Sequence, residues 1–259
     1  MTTDSAKHHF SKDGSSTLYS DKFGQFYHNP NGAVSESNHV FFDIPGVNLA
    51  LNNEPEALTV FEVGFGTGLN FLLLLDRYLS GKLAFPVHFY SVEAFPVSKK
   101  MAESFNFDEF LTHKKFGKLL PGIFGQLQPG LNTIKPLPEH EVYLHLFYGF
   151  FDELDHIDNT VDFIFHDAFS PEVNKELWTV GTFRKLASFG KKNAVLSTYC
   201  AASKARAAMA KAGWKLAKAP GALGKREMTI ASLSEQKISG FKRVNESRLI
   251  ERFDAGEFG

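Results

Sequence analysis

The chain has 259 residues, 43% of them hydrophobic and 22% charged, with a formal net charge of −1. That length can bury a substantial core, and that charge excludes a uniformly basic nucleic-acid surface while leaving room for a local basic patch. Cys200 is the only cysteine, which excludes an intramolecular disulfide and a cysteine-based metal cluster, and no apolar run reaches membrane-spanning length.

Residues 1–16 are polar, lack the apolar core of a secretory signal and read as a mobile N-terminal arm. Aromatic-rich runs at 23–28 and 39–44 flank NPNGAVSES, whose Asn-Pro and Asn-Gly pairs signal turns. An N-terminal β-rich extension, placed to cap a pocket, is therefore expected. Residues 58–75, LTVFEVGFGTGLNFLLLL, organise the rest. Leu58, Val60, Phe61 and Val63 have the bias of a buried strand, and residues 69–75 that of an apolar helix. Between them Gly64, Gly66 and Gly68 alternate, so backbone can approach a ligand where a Cβ would block it.

Spacing narrows the ligand. A dinucleotide loop needs G-x-G-x-x-G, but Leu69 stands at the third glycine position, and a P-loop needs Lys and Ser or Thr where Leu69, Asn70 and Phe71 follow. What remains is acid-x-G-x-G-x-G with Glu62 as the acid, which resembles the first motif of class I S-adenosylmethionine-dependent methyltransferases. The alternative is a tight strand-to-helix turn without a ligand.

A second strand, VHFYSVE, ends at Glu93, an acid placed either to accept ribose hydroxyls or to open the next helix at the surface. Residues 99–130 read as helix followed by irregular chain, with Lys114, Lys115 and Lys118 as a solvated basic face. A third strand at 142–148 leads to Gly149, Phe150 and Phe151, with a helix starting at 152–157. The fourth, at 161–165, ends in HDAFSP and places Asp167 at the ligand edge of the sheet. A helix at 172–186 holding Trp178, a fifth strand at 193–199 and an Ala-rich helix at 201–212 stopped by Gly213 follow. Strands at 214–218 and 228–233 are joined by a turn. Residues 234–259 form a mixed-charge tail whose order the sequence leaves open. The expected fold is α/β: a doubly wound, mostly parallel sheet closed by a C-terminal antiparallel hairpin. The histidines show no metal-ligand spacing, so no metal is expected. A cytoplasmic location is the default.

Six stretches together resemble one family: YHNPNGAVSESNHVFF, FEVGFGTGLNF, SVEAFP, HDAFSPEVNKELWT, LSTYCAASKARAAMAKAGW and GKREM. They are similar to the methyltransferase domain of the bacterial enzymes that complete 5-methylaminomethyl-2-thiouridine at the tRNA wobble position. The resemblance implies a Rossmann-like class I methyltransferase domain over residues 17–233, S-adenosylmethionine as cofactor and the tRNA anticodon region as partner. It implies a cofactor site of Glu62, Gly64, Phe65, Gly66, Thr67, Gly68, Asn70 and Glu93, with Asp167 beside both cofactor and reacting amine. The family often has Asp where this chain has Phe150, so the adenine contact falls either to Asp152 or to Phe150 stacking on the base. Phe169 and Pro171 are expected on the substrate side, and Lys204, Arg206, Lys225 and Arg226 against tRNA phosphates. The fused flavin-dependent oxidase of many relatives is not expected here, because the chain ends before it.

For the chemistry the amine must be neutral to attack, and Asp167 is expected mainly to orient it by accepting an N–H. Two rival readings are an aminopropyltransferase-like enzyme, whose signatures are not matched, and a non-catalytic RNA-binding module with a vestigial pocket.

Overall fold

The computed structural model describes residues 6–258. In chain order it begins with strands β1 (Ala6–Phe10), β2 (Ser16–Ser20) and β3 (Gln25–Phe26). Helices α1 (Ala33–Ser37) and α2 (Val47–Asn52) follow, joined through a π-helical turn at Asn38–Asp43. Next come β4 (Leu58–Val63), α3 (Leu69–Ser80), β5 (Val87–Glu93), α4 (Lys99–Ala102) and α5 (Leu119–Gln126). The chain continues through β6 (Gly130–Ile134), β7 (Val142–Tyr148), β8 (Val161–His166), α6 (Val180–Phe189), β9 (Gly190–Thr198) and α7 (Ser203–Lys211). It closes with β10 (Lys215–Ala219), β11 (Met228–Ser232), β12 (Lys242–Arg243) and α8 (Glu246–Asp254).

The first three strands make a small antiparallel sheet, and the other nine form one large sheet in the order β12-β10-β11-β9-β8-β4-β5-β7-β6. Its five middle strands, β9 to β7 in that order, are parallel, and both flanks are antiparallel. β4 is buried along its whole length, as a strand covered on both faces must be. Strand order reverses between β4 and β8, so the crevice beyond their carboxyl ends is where an open α/β sheet binds ligands.

Helix α3 covers one face. Leu72, Leu74 and Leu75 are fully buried there, each contributing on the order of 2 kcal/mol through apolar burial. Helices α6 and α7 cover the other face, where the buried Trp214 indole donates to Phe183 O at 2.9 Å.

The expected parallel sheet and the β10–β11 hairpin are present. Several local expectations need correction. Within the arm expected at 1–16, residues 6–10 are β1, paired with β2; residues 1–5 lie outside the described residues. Residues 38–43 are helical rather than extended, because Phe41 and Phe42 pack on Phe165 of β8 at 5.1 and 5.5 Å between ring centroids. The 99–130 stretch holds two helices and runs into β6, an edge strand. Residues 151–153 make only a 3-10 turn, and Trp178 lies in a 3-10 turn before α6 rather than inside a long helix. The tail, whose order the sequence left open, is built into the fold: β12 pairs with β10, and Glu246 Oε1 accepts from Leu216 N at 2.8 Å. No helix among the described residues is long and apolar enough to cross a membrane. Among the described residues no group of three or more His, Cys, Asp or Glu could hold a metal ion.

Candidate active site

The loop leaving β4 takes φ values of +92°, +53° and +78° at Gly64, Gly66 and Gly68, a run that residues with a Cβ adopt only under strain. It is tied to the end of β5: Gly64 N donates to Val92 O at 3.0 Å and Gly66 N to Glu93 Oε2 at 2.9 Å. The other oxygen of Glu93 accepts Phe95 N at 2.8 Å. Each carboxylate oxygen keeps a lone pair for a ligand hydroxyl. Burial raises the Glu93 pKa above its ordinary value.

A cavity of about 200 Å³ opens at this edge. Its wall includes Gly64, Phe65, Gly66, Asn70, Glu93, Phe150, Asp152, Asp167 and Phe169, so one space collects nine of the residues expected there. Asp167 extends β8, with its N–H donating to Val63 O at 3.0 Å and its Oδ2 accepting from Asn70 Nδ2 at 3.1 Å. Burial, then the nearby Glu62 and Glu36, hold its pKa well above the usual carboxylate range. The loop after it is pinned by Tyr199 Oη on Ala168 O at 2.9 Å and by Trp178 Nε1 on Phe169 O at 2.8 Å.

The N-terminal extension supplies the roof. Phe23, Tyr27 and His28 line the cavity, Phe23 stacks on Phe169 at 4.6 Å, and Tyr27 meets the same ring edge-on at 5.1 Å. Gln25 latches the roof to the far wall, donating from Nε2 to Ser170 Oγ at 2.6 Å and accepting Ser170 N at 3.2 Å. Lys22 Nζ lies 3.1 Å from the centroid of Phe95, which packs edge-on against Phe150. Phe150 itself is 55% exposed at the rim.

Four expected cofactor or substrate contacts fall elsewhere. Glu62 is buried behind the wall, bonded to Asn70 and Ser91, and burial pushes its pKa up to about 8. Thr67 is buried with its Oγ1 3.3 Å from His28 Nε2, so it links loop to roof. A Cβ on Gly68 would stand 2.5 Å from Leu120 Cδ2, so that glycine serves packing. Pro171 is outside the wall.

The basic set divides. Arg206 is buried in α7, with its guanidinium on Glu227 at 2.7 Å, Thr229 Oγ1 at 2.9 Å and Met228 O at 3.2 Å, so it is a structural residue and not a phosphate contact. Lys225 pairs with the buried Glu36 at 2.8 Å and lies over the Tyr199 ring. Lys204 and Arg226 are exposed.

The roof and far-wall residues Phe23, Tyr27, His28, Asn174, Glu176 and Leu177 were not expected individually. The aromatic run at 23–28 pointed to the roof, and Asn174, Glu176 and Leu177 lie in the HDAFSPEVNKELWT stretch, which singled out none of them.

The ionisable character of the wall is one-sided. Glu93, Asp152, Asp167 and Glu176 line it, with no Lys or Arg, and His28 is kept neutral by burial with a pKa of about 4. Such a wall disfavours a phosphate and suits a cation, including a sulfonium or an ammonium. The left-handed glycine loop, two of whose glycines line the cavity, gives such a ligand a backbone to rest on. These residues fit S-adenosylmethionine.

Residues 119–234 match a family model described as S-adenosyl-L-methionine-dependent methyltransferase. The chain is similar to the tRNA 5-methylaminomethyl-2-thiouridine biosynthesis bifunctional protein MnmC of Leptospira interrogans, at 35% identity over 226 residues, covering 85% of this chain and 34% of that protein. The protein of the same description from Cupriavidus metallidurans is 33% identical over 230 residues, covering 85% of this chain and 33% of that one. The chain thus spans about a third of the length of the curated relatives it matches. Among solved structures, MNMC2 from Aquifex aeolicus has the same fold, with a TM-score of 0.71 over 95% of this chain and 80% of that one at 20% identity.

Proposed function

We propose that the chain is an S-adenosyl-L-methionine-dependent methyltransferase, a reading that the family model over residues 119–234 and the likeness to the MnmC proteins support, and that it methylates the aminomethyl nitrogen of the modified wobble uridine of tRNA, making 5-methylaminomethyl-2-thiouridine from 5-aminomethyl-2-thiouridine. The observation that carries the reading is Asp167, a carboxyl on the wall of a cation-favouring cavity at the point where strand order reverses.

When bound, the cofactor supplies an electrophilic methyl group on a sulfonium. The protein's part is alignment and removal of a proton, since an alkylammonium with a pKa near 10 has no lone pair with which to attack. Asp167 accepts an N–H of the amine and so aims the lone pair. In its ionised form, which a neighbouring cation favours, Asp167 is a stronger proton acceptor than an exposed carboxylate, and the aromatic roof lowers the amine's pKa by excluding water. Glu93 takes the ribose hydroxyls, while Phe150 and Asp152 border the adenine. The anticodon region of tRNA rests on the exposed Lys204 and Arg226, in the cytoplasm.

The test is Asp167→Asn. Single-turnover methylation of aminomethyl-uridine tRNA falls about a hundredfold or more, and cofactor affinity changes little. Near-normal turnover refutes the catalytic role, and loss of cofactor binding moves Asp167 into the cofactor site. Cofactor binding by the wild-type protein without turnover on any tRNA refutes the enzyme reading in favour of a vestigial pocket.

A further inference from the structure

Glu62 is an acid with nowhere to go. Its side chain is 1% exposed, and each carboxyl oxygen has one side-chain donor: Asn70 Nδ2 to Oε1 at 2.9 Å and Ser91 Oγ to Oε2 at 2.8 Å. The Asn70 amide nitrogen also donates to Asp167 Oδ2 at 3.1 Å. A primary amide carries two N–H bonds, so the two acids use both. Asn70 Oδ1, meanwhile, is buried without a partner. Leaving a buried acceptor unsatisfied costs about 1–3 kcal/mol, so the orientation of this amide is set by the acids it bridges rather than by its own carbonyl.

Two carboxyls sharing one amide, one of them fully buried, cannot both carry a full charge cheaply. The groups around the two acids differ. Glu62 faces Ser91 and Glu93 from β5 and Asn70 from α3, with no cation among these groups, whereas Asp167 has the cation Lys225 on its side, opposed by the carboxylate of Glu36. Asp167 lines the cavity and Glu62 does not.

We propose that Glu62 is a positioning residue for Asp167: through the shared Asn70 amide it fixes the Asp167 carboxyl against the cavity, where Asp167 in its ionised form takes the proton of the amine. The proton step balances simply. The ammonium N–H bond breaks toward Asp167 Oδ, the amine keeps the electron pair and forms the N–CH₃ bond, and the sulfonium sulfur takes the pair of the broken S–CH₃ bond. The proposal rests on the methyltransferase reading for this step, but the coupling of the two acids is a property of the protein alone.

The test therefore has one arm without substrate. Carboxyl carbons are titrated by NMR in the ligand-free protein, with Asp167→Asn identifying the Asp167 signal, and single-turnover methylation is run beside it. In Glu62→Gln, whose amide oxygen accepts from Asn70 and whose NH₂ donates to Ser91 Oγ, Asp167 titrates at lower pH because a neighbouring acid is gone. In Asn70→Ala it titrates at higher pH because its donor is gone. Turnover falls about tenfold or more in Glu62→Leu and in Asn70→Ala, and Glu62→Gln recovers most of that loss. Should Glu62→Leu fail to fold, Asn70→Ala, a truncation at the cavity wall, carries the comparison with Gln. An Asp167 titration unmoved in both Glu62→Gln and Asn70→Ala overturns the coupling. Glu62→Gln as slow as Asn70→Ala overturns the positioning role. A wild-type chain that methylates no tRNA defeats the functional reading instead, and leaves the titrations to decide this one.

Discussion

Replacing Glu62 by Gln should change how stability depends on pH, by an amount that follows from its burial. In the folded protein burial holds the carboxyl protonated up to about pH 8, whereas in the unfolded chain it ionises at the ordinary value of 4.5. Between these two values the folded state binds a proton that the unfolded state has released, so stability falls as pH rises through the window and levels off above it. At about 1.4 kcal/mol per pH unit, the interval amounts to about 5 kcal/mol, a large part of the roughly 5–15 kcal/mol by which a domain is stable. Gln cannot ionise, and keeps the bonds to Asn70 and Ser91 that the neutral acid makes. Urea unfolding of both proteins at pH 5 and pH 9 measures the effect. The wild-type protein should lose about 4 kcal/mol more than the variant between those values, the part of the interval that lies above pH 5, with equal m-values. Parallel losses would refute the reasoning and leave Glu62 ionised in the folded protein.

Gly66→Val forces a β-branched residue to φ +53° with its Cβ 3.3 Å from the Tyr27 ring, so S-adenosylmethionine affinity should fall about tenfold or more in calorimetry; unchanged affinity would remove the ligand from this loop. Arg206→Gln breaks a buried ion pair and should lower stability by about 3 kcal/mol and Tm by about 6–12 °C, leaving the salt dependence of tRNA binding as it was. A flattened salt slope with an unchanged Tm would make Arg206 a phosphate contact after all. Gln25→Ala removes both bonds of the roof latch, and cofactor release in stopped-flow should quicken about tenfold; an unchanged rate would mean the roof is held by its aromatic contacts alone.

The glycine loop and Asp167 were legible because their signals are local: a strand that must be apolar throughout, then backbone angles that only glycine adopts freely. The segment at 38–43 was not, since NHVFFD has strand-like composition and becomes helical only where Phe41 and Phe42 find Phe165. The strand β6, GLNTI, has no buried position, so no hydrophobic alternation announces it. Charge misled most. Glu62 and Arg206 are both buried, and what permits it lies in distant sequence: Ser91 for one, Glu227 and Thr229 for the other. The roof was visible as an aromatic run, but its latch joins Gln25 to a residue that composition does not mark.

That latch has a bearing on how the protein comes into being at the ribosome. Gln25 and Ser170 are separated by 145 positions, and at a synthesis rate of about 5–20 residues per second the interval between their translation is about 7–29 s. Throughout it Phe23 and Tyr27 lack the Phe169 ring against which they finally rest. The nascent chain therefore presents this aromatic segment early and shelters it only after Phe169 has been made, which makes residues 23–27 a place where a holdase chaperone would take hold.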